Sequence, residues 1–292
     1  MKNFEQLTEQ YLVSGYYKLE KGDLLGAIID YNKVIELDPN IAEAFNNRGN
    51  AKSELGNDKG AILDYNEAIR LDPQLADPYD GRGAAKARLG DLKGAITDFI
   101  IAIRINPKCA RFYINIGQAK ASLGDLKDAI IEFNKALEIN PNLASTYAHR
   151  GMVKLKLNDL HGAVLDLTKA IDINPKYEDA YFNLGNIKSI LGDSDEAILN
   201  FKKVIEINPR NEFAFYGLGV EMVIKKFPQE AINYFSEAIR ISPNFALAYK
   251  NRGSMEYTIC DFEGAESDWS TASDLGDGEA TEYLKRFIAR LN

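Results

Sequence analysis

The chain has 292 residues, 46% hydrophobic and 27% charged, a globular composition that excludes a disordered or fibrous chain. Lys and Arg total 35 against 43 Asp and Glu, and the net charge of −8 makes a poor general binder of nucleic acid or an anionic membrane, since both need clustered cations. No stretch has the apolar length of a signal peptide or a membrane span, and Cys109 and Cys260 are too few for a disulfide framework, so a soluble cytoplasmic protein is expected.

Length alone suggests about two domains. The sequence divides differently. After residues 1–7, which extend the first helix, glycine recurs every 34 residues at Gly15, Gly49, Gly83, Gly117, Gly151, Gly185, Gly219 and Gly253. Alanine keeps the same interval from Ala27 to Ala265, and proline keeps it from Pro39 to Pro243. A large aromatic stands four residues before each glycine: Tyr11, Phe45, Tyr79, Tyr113, Tyr147, Tyr181, Phe215 and Tyr249. Such a fixed period sets the architecture before any other reading. It predicts eight units, 8–41, 42–75, 76–109, 110–143, 144–177, 178–211, 212–245 and 246–279, with no boundary inside the array.

Each unit reads as two helices. In the second, Phe45, Ala51 and Leu55 fall at helical spacing, Gly56 breaks the run, and Ile62, Tyr65, Ala68 and Ile69 resume it. Pro73 then ends the second helix, because proline disfavours helical geometry in the residue before it. Gly49 and Ala61 are small enough for the two helices to approach closely while Phe45 and Tyr65 fill the space beside them. One such pair cannot bury its apolar face alone, so stacking on neighbours supplies the core.

Comparing units predicts ion pairs. Arg48, Arg82, Arg150 and Arg252 each precede the glycine, and each is followed sixteen residues later by Asp64, Asp98, Asp166 or Asp268. Where Leu184 and Leu218 replace the arginine, Asn200 and Tyr234 replace the aspartate. Arg–Asp links between the two helices of a unit follow. The row Lys18, Lys52, Lys86, Lys120, Lys154 and Lys188 is expected to lie over helix junctions and meet nearby carboxylates rather than nucleic acid.

The array resembles the tetratricopeptide repeat family through the pattern aromatic-x-x-x-Gly, Ala, aromatic (Tyr31, Tyr65, Phe99, Phe133, Phe201, Phe235, with Leu167 and Trp269 as variants) and Pro. The resemblance covers roughly nine-tenths of the chain. It implies an all-α, right-handed superhelical α-solenoid of antiparallel helix pairs, with first helices lining a concave groove that holds peptides or partner proteins. It also implies that the second, fifth, sixth, ninth, twelfth and thirteenth places of each repeat face that groove.

The groove then contains a carboxamide row. The sixth place gives Asn47, Asn115, Asn183 and Asn251, with His149 in the fifth repeat, and the ninth gives Asn50, Gln118 and Asn186. A carboxamide both donates and accepts, so it can hold a peptide backbone whatever its side chains. The lysine-rich clamp by which one branch of the family binds chaperone C-termini is absent, and Glu9, Glu43, Asp77 and Asp80 would repel a terminal carboxylate and suit a basic segment. A solvated acidic face is an equal reading.

The seventh repeat departs from the pattern. Phe213, Tyr216 and Val220, with Val223 or Ile224, fall on the groove face, joined by Phe182, Ile190 and Leu247 from its neighbours; Lys250 occupies the fifth place of the last repeat. Gathered apolar side chains on a surface mark an interaction site. Three readings stand: an apolar partner segment held with Asn183, Asn186 and Asn251; a second copy of the chain; or burial of the patch within the array. The inter-helix turn of this repeat is Lys225-Lys226-Phe227-Pro228 where others have Leu-Gly-Asp. Residues 280–292 place Ala280, Tyr283, Leu284, Phe287, Ile288 and Leu291 on one stripe, as a helix covering the open face of the last repeat would.

No P-loop, zincin motif or nucleophile elbow occurs, and the histidines and cysteines form no metal-ligand spacing, so neither an enzyme nor a cofactor or metal is expected. The sequence reads as a protein-interaction scaffold, with homo-oligomer assembly through the seventh-repeat patch as the alternative.

Overall fold

The computed structural model describes residues 2–291, and among them it contains seventeen α-helices and no strand. In chain order they are α1 (Lys2–Glu20), α2 (Leu24–Leu37), α3 (Ala42–Glu54), α4 (Asp58–Leu71), α5 (Ala76–Arg88), α6 (Leu92–Ile105), α7 (Ala110–Leu123), α8 (Leu126–Ile139) and α9 (Ala144–Lys156). Then follow α10 (Leu160–Ile173), α11 (Glu178–Ile190), α12 (Ser194–Ile207), α13 (Glu212–Ile224), α14 (Pro228–Ile241), α15 (Ala246–Thr258), α16 (Phe262–Asp274) and α17 (Gly278–Leu291).

The breaks between helices come from local chemistry. Asp23, Asn57, Asp91, Asp159, Asp193 and Asp261 each accept a backbone N–H three residues on, satisfying a donor that the helix start leaves orphaned. Gly56, with φ of +79°, makes the reversal after α3. Lys226 takes that left-handed place in the seventh repeat at φ +64°, and Pro228 follows at the first turn of α14, where its missing N–H removes an orphan donor.

The helices form two compact units, one up to Asn158 and one from Asp159 onward. Within each, a helix packs on the next in sequence, and second helices rest on the first helix of the following repeat, as α4 on α5 and α14 on α15. Successive first helices also meet, α3 with α5, α5 with α7, and α11 with α13, more closely than successive second helices do. First helices therefore line the inner face of each unit.

The core is built from the periodic residues. Ala27, Ala61, Ala95, Ala129, Ala197, Ala231 and Ala265 have no exposed surface, and Tyr31, Tyr65, Phe99, Phe133, Phe201 and Phe235 beside them are almost as deeply buried. α17 continues the packing: Phe287 and Ala280 are buried, with Phe287 and Leu284 against Ala265 and Trp269, while Tyr283 and Ile288 stay partly exposed. The side chain of Leu291 lies outside the described residues.

The arginine pairs hold the repeats together. Arg48 grips Asp64 through two nitrogens at 2.9 and 2.6 Å, Arg82 grips Asp98 at 2.9 and 2.6 Å, and Arg252 grips Asp268 at 2.7 and 2.8 Å. The third nitrogen of each reaches back one repeat, to Asn32, Asn66 and Ser236, and each guanidinium lies over its own repeat's aromatic, Phe45, Tyr79 and Tyr249. Pairing of Arg150 with Asp166, which would fall between the two units, stays an expectation. The lysine row meets carboxylates: Lys18 with Asp30, Lys52 with Asp64, Lys86 with Asp98, Lys120 with Glu132 and Lys188 with Asp193.

Near the last of these arginines a pH dependence is built in. Burial first, and the neighbouring Asp268 carboxylate second, push the Glu256 carboxyl up to about 7, against the pull of Arg252. A carboxyl raised above its ordinary 4.5 favours the folded state when protonated, so its contribution is complete below that value and disappears as pH rises through about 7. The unfolding free energy followed between pH 5 and pH 8 should therefore fall further for the wild-type chain than for Glu256→Gln, by up to about 3 kcal/mol. Identical slopes would refute the assignment.

Candidate functional site

In the first unit the carboxamides sit on first helices, α3 and α7, and are already engaged. The Tyr65 hydroxyl donates to Asn50 Oδ1 at 2.8 Å, Asn46 donates to Asn47 Oδ1 at 3.1 Å, and Asn115 donates to Asp80 at 2.8 Å. Gln118 meets the His149 ring at 3.1 Å, and that ring stacks on Phe133. A primary amide has further donors and lone pairs beyond one bond, so these contacts orient the row without exhausting it. Asn115 and Gln118 line a shallow hollow of about 350 Å³ with Ala84, Arg88, Phe99 and Ser122. Glu9 and Glu43 are exposed. Asp77 and Asp80 are not a bare acidic pair, because Arg111 contacts them at 2.5 and 3.0 Å; burial raises the Asp80 carboxyl while Arg111 and Asn115 draw it down.

The second unit holds an apolar site. Phe182, Asn186, Phe213, Tyr216, Val220 and Leu247 converge on one cleft of about 320 Å³, together with Ser189, Phe201, Gly217, Glu221 and Phe245. Its aromatic rings form a chain. Phe182 meets Phe213 edge-on at 6.4 Å, Phe213 meets Phe245 at 5.5 Å, and Phe245 meets Tyr216 at 5.0 Å. Asn251 donates to the Tyr216 hydroxyl at 2.8 Å and fixes that ring, whose own ionisation burial pushes up.

The patch is not sealed within the unit: Phe213 is 53% exposed and Leu247 43%, while Tyr216 is half-buried. Ile190 and Ile224 are exposed as well. Asn183, Lys250 and Asn251 lie outside the cleft lining, as do Ile190, Val223 and Ile224. Asn183 donates to the Asp179 carbonyl of its own helix at 2.7 Å, and Lys250 is held by Glu279 at 2.8 Å and Asp277 at 3.4 Å, its side chain only 12% exposed.

Phe245 and Glu221 were not singled out by the groove places. Phe245 precedes α15 as its N-cap residue. Glu221 occupies the tenth place of its repeat, where the others from the second on carry Ala51, Ala85, Ala119, Val153, Ile187 and Met255. That contrast is visible in the sequence, and the apolar company of the tenth place was the available signal.

The described residues contain no cluster of three or more His, Cys, Asp or Glu arranged to hold a metal, and no helix long and apolar enough to cross a membrane. Cys109 packs against Tyr79, Ala102 and Phe112, whereas His149 is engaged with Gln118 and Phe133.

Comparison with known proteins adds the following. The tetratricopeptide repeat model matches residues 178–211 and, in a second version, 110–143; the TPR repeat model matches 15–56, 49–90 and 151–189; together these cover more than half of the chain. No curated protein matches significantly. Among solved structures, YrrB, a TPR protein with an unusual peptide-binding site, is similar at 27% identity over 63% of this chain and 95% of that one, with a TM-score of 0.54. MamA is similar at 27% identity over 56% of this chain and 96% of that one, TM-score 0.53. PilF of Pseudomonas aeruginosa, at 18% identity over 71% of this chain and 94% of that one, TM-score 0.64, shares the fold.

Proposed function

Because the chain belongs to the tetratricopeptide repeat family, whose members are protein-interaction scaffolds, we propose that it is a non-enzymatic adaptor holding a segment of a partner protein in the cleft of the second unit. The observation that carries this reading is the aromatic chain Phe182–Phe213–Phe245–Tyr216, open on one side and bordered by carboxamides. Apolar anchors in a pocket beside polar groups that accept a backbone are what segment recognition requires. The exposure of Phe213 and Leu247 also suits contact with a second copy of the chain, the other reading.

A variant with Phe213→Asp and Leu247→Asp changes two exposed side chains, so circular dichroism and the unfolding midpoint should stay close to wild type. Partner capture should fall at least about tenfold, since aromatic anchors dominate such interfaces. Undiminished capture would overturn the reading. Light scattering over a concentration series separates the alternatives: a monomer throughout supports the adaptor, and dimers that vanish in the double variant support assembly.

A further inference from the structure

Glu221 stands where this fold places a core residue. The equivalent positions Ala51, Ala85 and Ile187 have no exposed surface, and Ala119 and Val153 have almost none. Ala85 packs against Ala61 and Tyr65 of the preceding repeat, and Val153 against Ala129 and Phe133. Glu221 is likewise fully buried, yet both of its carboxylate oxygens lack a hydrogen-bond partner. A carboxylate withdrawn from water without a partner strongly disfavours the folded state. The residue that six other repeats fill with an apolar side chain therefore works against stability, as groups retained for binding do.

Its surroundings identify what it would bind. Glu221 forms part of the wall of the aromatic cleft, alongside Phe182, Phe213 and Tyr216, with Asn186 and Ser189 offering oxygen acceptors in the same wall. Cations on its own and the adjoining first helices are taken: Lys225, which caps α13, pairs with Asp195, Lys188 with Asp193, and Lys250 with Glu279 and Asp277. We propose that this cleft is a recognition pocket for a lysine or arginine side chain of the partner segment, its apolar stem lying on the rings and its cation meeting the Glu221 carboxylate. Rings attract a cation through their faces, and a preformed unpaired carboxylate needs no water stripped from it at binding. The pocket opens slightly to admit the charge, because both oxygens are closed to solvent in the free chain. This rests on the segment-binding reading above and specifies the segment's chemistry.

The test pans a random twelve-residue peptide library against the full chain, against Phe213→Asp with Leu247→Asp, and against Glu221→Met. Peptides retained by the wild type should carry Lys or Arg beside apolar residues. For a winning peptide, exchanging that Lys for norleucine should weaken binding tenfold or more on the wild type and leave it unchanged on Glu221→Met. Glu221→Met should also unfold at a higher temperature than wild type. Winners without a basic residue, equal binding of the norleucine peptide, or a lower unfolding temperature for Glu221→Met would each overturn the cation pocket while leaving segment binding in place. Absence of any peptide whose retention depends on Phe213 and Leu247 would overturn segment binding itself, and the pocket with it.

Discussion

Asp98→Ala is expected to destabilise the first unit by about 3 kcal/mol, measured as a shift of its denaturant or thermal unfolding transition. Asp98 is nearly fully buried and receives two guanidinium nitrogens of Arg82 and the ammonium of Lys86 at 2.8 Å. Removing the carboxylate leaves Arg82, itself only 16% exposed, with a charge that has lost its counter-ion. Breaking a buried pair from one side typically removes about 3–5 kcal/mol. The lower end applies here, because Arg82 keeps its bond to Asn66 and its place over Tyr79, and Lys86 can turn toward water. Replacing both partners by apolar residues, Arg82→Met with Asp98→Leu, should recover most of the loss, since the desolvation of two charges goes with their attraction. By contrast, removing the exposed Arg70–Glu67 pair should be close to silent. An Asp98→Ala loss below about 1 kcal/mol would show that the clamp is not a structural tie.

Gly117→Val should be comparably damaging, again about 3 kcal/mol, and its sign is informative. In an exposed helix, replacing glycine by a residue with a side chain improves helix propensity, by up to about 1 kcal/mol for alanine. At Gly117 any Cβ would lie 2.7 Å from Cε1 and 2.9 Å from Cδ1 of Phe133, inside contact distance of a ring that is itself fully buried. That ring has no space to move into, so α7 and α8 must separate, and the packing loss exceeds the propensity gain. Valine adds two methyl groups to the clash. A second substitution, Phe133→Leu, should restore part of the stability if the clash is the cause, and thermal unfolding of the single and double variants measures it. Gly117→Val alone as stable as wild type would mean that the helix pair is not closely packed there.

Much of this architecture was legible because it repeats. One glycine among many says little, but Gly49, Gly83 and Gly117 at a constant interval imply the same close approach, and in each case the ring of the second helix is where a Cβ would go. The Arg–Asp pairs were legible for the same reason: wherever the arginine occurs, an aspartate follows sixteen residues later. Side-chain hydrogen bonding did not follow from the period. The spacing places Asn183 and Asn251 alike, yet one amide turns back to the Asp179 carbonyl and the other reaches the Tyr216 hydroxyl in the preceding repeat. Lys250 reads as a groove cation until Asp277 and Glu279, where the end of the eighth repeat runs into α17, close on it. Exceptions to a pattern carry the chemistry, and Glu221 is the sharpest, an acid in a column otherwise apolar from the second repeat onward.

The arginines that reach back to Asn32, Asn66 and Ser236 couple the second, third and eighth repeats to the ones before them, in addition to apolar contact. A linear array behaves as a row of units with nearest-neighbour coupling, and a unit with weaker coupling opens at lower free energy than those beside it. In α11 and α13 the place of the arginine is taken by Leu184 and Leu218, and Asn200 spends its amide on the Glu196 carbonyl of its own helix. The sixth and seventh repeats therefore meet without that arginine tie, through side-chain packing and the Lys225–Asp195 ion pair. Opening at this junction, the one that forms the aromatic cleft, is expected to cost less than at a junction that carries the arginine. Compliance and binding capacity thus share a location: a junction that lacks the arginine tie is the one with a pocket to open.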